Sequence, residues 1–115
     1  MSNFYPELNQ RILEMAEGDD EFRMELTSAI YNGLLELEAK YSEGLQNRDE
    51  VKIQQIRHKV KPTLAMFEFD LLTASLQEGK IILETEGFGK SFEAHFHDFL
   101  EKVKVAVEEV NRLKN

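Results

Sequence analysis

Cysteine is absent from this chain, which excludes disulfides, thiolate nucleophiles and cysteine-based zinc or iron–sulfur sites. Only two prolines and six glycines occur in 115 residues, leaving little room for flexible linkers or low-complexity tracts. Apolar runs of membrane-spanning length are missing, and the first residues, Met1 to Glu7, lack the basic start and apolar stretch of a signal peptide. A cytoplasmic location is therefore expected. Positive charge is scarce: 14 Lys and Arg stand against 22 Asp and Glu, a formal net charge of −8. Phosphate backbones and anionic lipid surfaces repel such a chain, so neither nucleic acid nor a membrane is an expected partner. No segment alternates apolar and polar residues as a half-buried strand does, and no internal repeat is found.

Helical periodicity is what the chain does have. Phe4, Leu8, Ile12 and Met15 predict a short helix over 4–15, with Asn3 as its cap and Pro6 in its first turn, where a missing N–H costs little. Gly18 ends it, and Asp19 or Asp20 can cap the next helix. That helix carries Phe22, Leu26, Ile30, Gly33, Leu34, Leu37 and Tyr41 along one stripe. Gly44 and the run 46–48 break the pattern, and Asn47 followed by Glu50 resembles a capping box. A third stripe runs through Ile53, Ile56, Val60, Leu64 and Phe67. A fourth helix uses Leu72, Leu76, Ile82 and Leu83, with Gly79 a weak point in its middle. The last and clearest stripe is Phe88, Phe92, Phe96, Phe99, Val103, Val107 and Val110. The expected architecture is all-α: a single domain over 1–115, an up-down four-helix bundle with the short first helix as a lid, and a monomer.

Against that background His58 is unusual. With roughly 100° of rotation per residue, it lies about 160° from the mean direction of the third stripe and should project into solvent. Gln54, Lys61, Pro62 and Ala65 share its face at spacings of three, four and seven, and Pro62 and Ala65 are compact. An exposed imidazole has a nucleophilic nitrogen available near neutral pH. A phosphoryl group on it would add about −2 charge, which Lys61 one turn away could partly neutralise, with Arg57 and Lys59 adding a diffuse positive field. Pro62 removes the ladder hydrogen bond to the carbonyl of His58. Because the apolar stripe keeps its phase from Val60 to Phe67, a continuous kinked helix is favoured over two helices.

At these residues the chain resembles the histidine-containing phosphotransfer (HPt) domains of two-component phosphorelays. The family motif is a histidine, any residue, an aliphatic residue, a lysine and usually a glycine, set mid-helix in a bundle. Here it reads His58-Lys59-Val60-Lys61-Pro62. The size, the short first helix, the long second helix and the long last helix extend the resemblance to most of the chain. It implies a phosphoryl carrier rather than an autonomous kinase, in which His58 takes a phosphoryl group from an aspartate of one receiver domain and passes it to another. Lys61 would stabilise the phosphoryl charge, and Gln54, Arg57, Lys59, Pro62, Ala65 and Phe69 would belong to the docking face, Phe69 only if the motif helix runs that far, with a core or turn-packing role suiting it at least as well. The implied partners are response-regulator receivers and a hybrid histidine kinase. No cofactor is implied on this chain, the magnesium ion being the receiver's. Two departures stand out: Pro62 replaces the usual glycine, and Glu68 falls where a second glycine often ends the motif helix. The alternative function is a non-phosphorylated helical adaptor that binds receivers.

Other features have plainer readings. His95 and His97, two apart on a helix, diverge and cannot share a metal ion unaided. Asp19, Asp20 and Glu21 suit helix capping and the helix dipole. The phenylalanines of the last helix follow core spacing.

Overall fold

The computed structural model describes residues 5–114, and its elements are all helices: α1 (Leu8–Ala16), α2 (Asp20–Asn47), α3 (Glu50–Met66), α4 (Asp70–Glu86) and α5 (Lys90–Arg112). Each of α2 to α5 packs on its neighbours in chain order, α5 closes the square on α2, and α1 rests on α2. With joints of two or three residues between successive long helices, the result is an up-down four-helix bundle with a short N-terminal helix. At about 1.5 Å per residue, the 28 residues of α2 nearly match the 47 Å long dimension of the molecule. No helix among the described residues is long and apolar enough to cross a membrane.

The apolar stripes meet in one core. Ile30, Leu34, Leu37 and Tyr41 of α2 face Ile53, Ile56, Val60 and Leu64 of α3, with Leu72, Leu76 and Leu83 of α4 and Phe92, Phe99, Val103 and Val110 of α5 completing it. Two expected stripe residues, Met15 and Phe22, are exposed. Ala16 rather than Met15 completes the buried face of α1, at four-residue steps from Leu8 and Ile12. Phe22, in the first turn of α2, stays exposed because Thr27 and Ile30 are the residues of that helix end that turn inward. Helix α1 also starts later than expected: the amide of Leu8 donates to the carbonyl of Tyr5, forming a turn that carries Tyr5 inward. The expected cap Asn3 and stripe residue Phe4 lie outside the described residues.

Helix ends show how the chain reverses so tightly. Asp19 caps α2 by accepting from the amide of Phe22 at 3.0 Å. Asn47 is not the cap of α3. It is the last residue of α2, Arg48 takes a left-handed conformation at φ 50°, and the Asp49 carboxylate accepts from the Lys52 amide at 3.1 Å. Beyond α3, Glu68 adopts φ 56°, the amide of Phe69 donates to Leu64 and that of Glu68 to Ala65. This is a Schellman ending with glutamate in the place glycine favours. An ion pair from Arg11 holds the Glu68 carboxylate, so α1 lies over the α3–α4 turn as a lid.

Candidate functional site

Helix α3 runs unbroken through Pro62. Proline has no N–H, so the carbonyl of His58 loses its ladder donor at the very residue that carries the imidazole. The phase of the helix nevertheless survives, because Ile53, Ile56, Val60 and Leu64 remain packed in the core on the opposite side. His58 is accordingly exposed midway along α3.

The imidazole stands at the rim of a groove of about 550 Å³ between α3 and α4. Gln54, Arg57, His58 and Lys61 form the α3 wall, Thr73, Ala74, Gln77 and Lys80 the α4 wall, and Leu64 and Leu76 supply apolar lining, with Asp70 near the α3–α4 turn. Among the described residues, Arg57, Lys61 and Lys80 make no ion pair. Several cations elsewhere are paired: Lys52 with Glu43, Lys59 with Glu36, Lys102 with Asp98 and Arg11 with Glu7 and Glu68. Three cations without an ion pair converge on this one groove, in a chain whose net charge is −8.

The residues expected around His58 therefore divide. Gln54, Arg57 and Lys61 line the groove with it, while Pro62 and Ala65 are exposed on the same helix outside the groove lining. Lys59 is exposed but turned toward α2, where its ammonium bonds Glu36 at 2.9 Å and loses its free charge. Phe69 is not a docking aromatic. It is fully buried, because the left-handed Glu68 reverses the chain before it, making Phe69 the residue that precedes α4 and setting its ring 4.9 Å from that of Tyr5. The α4 wall escaped the sequence reading. Its signal was available, since Thr73, Gln77 and Lys80 follow four- and three-residue steps on one polar stripe.

A second polar cluster lies inside the bundle. The rings of His95 and Tyr41 meet with Nε2 and Oη 2.8 Å apart, and His95 Nδ1 lies 3.3 Å from Glu78 Oε1. A neutral ring satisfies both contacts with its proton on Nδ1, donating to Glu78 while Nε2 accepts from the Tyr41 hydroxyl. Burial pushes the His95 pKa below its ordinary value, against the opposing pull of Glu78. Burial likewise raises that of Tyr41, opposed by the charge of Arg57. Gly79 makes the cluster possible, because a β-carbon there would collide with both His95 Nε2 and the Tyr41 hydroxyl. His97, on the exposed side of α5, points away from this cluster, and no group of His, Asp and Glu suited to a metal ion occurs among the described residues.

Fold and site together define a four-helix bundle that presents one mid-helix histidine beside a locally basic groove. Set against protein-family models, curated proteins and solved structures, the chain matches none.

Proposed function

We propose that this protein is a histidine phosphotransfer carrier of the HPt type, relaying a phosphoryl group between receiver aspartates through His58. The observation that carries the reading is an exposed imidazole, held on a rigid helix, beside the unpaired charges of Lys61 and Arg57. In the transfer, the lone pair of a neutral ring nitrogen attacks phosphorus, the N–P bond forms, and the P–O bond to the donor aspartate breaks to release its carboxylate. The reverse step hands the group to a second receiver. The chain supplies the nucleophile, its positioning and nearby positive charge, and the receiver supplies its magnesium ion and the remaining electrostatic stabilisation.

Lys61 acts on charge rather than on folding, since its side chain is exposed. Its ammonium offsets part of the charge that arrives with the phosphoryl group. The test is incubation of the full chain with phosphorylated receivers of its own organism, followed by detection of an acid-labile adduct. Labelling of the wild type and none of His58→Gln is expected. Absence of labelling from every such receiver rejects the relay, and labelling of His58→Gln rejects the site. Lys61→Ala is expected to slow transfer or shorten the phosphoprotein lifetime roughly tenfold while keeping the fold, about 1.4 kcal/mol of charge stabilisation. Equal rates and lifetimes would remove Lys61 from the mechanism.

A second reading is favoured by one observation, the proline that interrupts the ladder at His58. On that reading the bundle binds receivers without accepting phosphate. Receiver binding by a chain that is never labelled is its signature.

A further inference from the structure

The α3–α4 groove has more structure than an exposed nucleophile requires. Its volume, about 550 Å³, falls in the roughly 300–1,000 Å³ range of small-molecule pockets. Leu64 and Leu76 provide an apolar lining, and Arg57, Lys61 and Lys80 bring three unpaired cations to its walls. Apolar surface with a few convergent charges of one sign suits a ligand of matching make-up. The charge is also confined along the groove. Asp70 lies near one end, and a smaller depression that shares Arg57 and Lys80 continues toward Glu50 and Glu84 at the other. An acidic peptide laid along the groove would meet carboxylates at both ends, whereas a compact anion meets only the basic middle.

We propose that this groove is a binding site for a small organic anion, an apolar body carrying one carboxylate, sulfonate or phosphate group. The anionic group sits among Arg57, Lys61 and Lys80, and the apolar body lies against Leu64 and Leu76. Such a ligand covers His58 and competes with an incoming receiver. That regulatory consequence rests on the phosphotransfer reading, and the binding itself does not.

The test uses the full chain and 2-naphthalenesulfonate as probe, with uncharged 2-naphthol as its control. Saturable one-to-one binding of the sulfonate is expected by calorimetry, with amide shifts on α3 and α4 by NMR. Lys80→Glu and Arg57→Glu are expected to weaken it at least tenfold, Lys80→Gln by less, and Lys104→Glu on α5 by less than twofold, all with unchanged far-ultraviolet dichroism. The site is overturned by the absence of saturable binding, by equal affinity for 2-naphthol, or by an equal loss in Lys104→Glu, which would mean bulk charge alone. In a separate arm, saturating sulfonate is expected to slow labelling of His58 at least tenfold. Unchanged labelling at saturation overturns the competition and leaves the binding result standing on its own.

Discussion

Gly79 reverses its apparent meaning once its surroundings are considered. In a helix interior glycine costs about 1 kcal/mol relative to alanine, so Gly79→Ala should stabilise α4 on propensity alone. The methyl would, however, enter the space where the Tyr41 hydroxyl meets His95. Overpacking of this kind costs typically about 1–3 kcal/mol, and a separated buried hydroxyl adds its own penalty. Gly79→Ala is therefore expected to lower the unfolding free energy by about 1–3 kcal/mol in urea titration; a gain in stability would show that the cluster yields cheaply. The same cluster predicts a pH effect. Since burial lowers the His95 pKa in the folded state below its ordinary value of 6.5, the unfolded chain binds the proton more readily. The stability that a neutral His95 contributes is complete above that ordinary value and is lost as pH falls through it toward the folded value. Wild type should thus lose stability between about pH 7 and pH 5 more steeply than His95→Gln, whose amide does not titrate. Parallel pH profiles for the two proteins would place the proton elsewhere.

Helix α3 sets local and tertiary preferences against each other. Pro62 removes a hydrogen bond that a helix interior ordinarily keeps, yet Val60, Leu64 and Phe67 are buried on the far side and hold the chain in phase. Pro62→Ala is expected to raise stability by about 1–2 kcal/mol, since the restored bond outweighs the loosened unfolded chain. A lower urea midpoint in the variant would mean that the ring contributes packing of its own. At the end of α3, Glu68 adopts a conformation that costs a non-glycine residue about 1–2 kcal/mol. Both Glu68→Gly and Glu68→Ala lose the Arg11 pair, but only glycine relieves the backbone, so the glycine variant should be the more stable by about 1 kcal/mol. Equal midpoints would show that the left-handed residue is unstrained. These two positions also mark how far the sequence can be read. The stripes of α2, α3 and α5 are legible because burial repeats at the helical period, and His58 is legible as exposed because it opposes one of them. Phe69 is not, because a single left-handed residue ahead of it ends α3 and with it the helical wheel that would carry Phe69 to the exposed face. Nor is the α4 wall visible from α3, since only the fold determines which polar stripe faces Arg57 and Lys61.

For the molecule as a whole, the question is whether the α1 lid belongs to the same cooperative unit as the bundle. Its links are distributed: Leu8, Ile12 and Ala16 are buried, Tyr5 packs on Phe69, and the Tyr5 amide donates to the Glu109 carboxylate of α5 at 3.2 Å. Arg11 adds the bridge to the α3–α4 turn. A segment joined to α2, α5 and that turn cannot lift without exposing Phe69, which is fully buried beneath it. Truncating one lid residue should therefore be felt globally. Ile12→Ala, at a site with 1% exposure, is expected to cost about 2–5 kcal/mol, a large fraction of the 5–15 kcal/mol typical of a domain. The tyrosine signals of Tyr5 and Tyr41 should still report one transition coincident with loss of helix by far-ultraviolet dichroism. If instead the tyrosine transition separates from the helical one and the helical midpoint stays at its wild-type value, the lid opens independently. In that case Tyr5 and Phe69 would be uncovered while the four long helices, and His58 with them, remain folded.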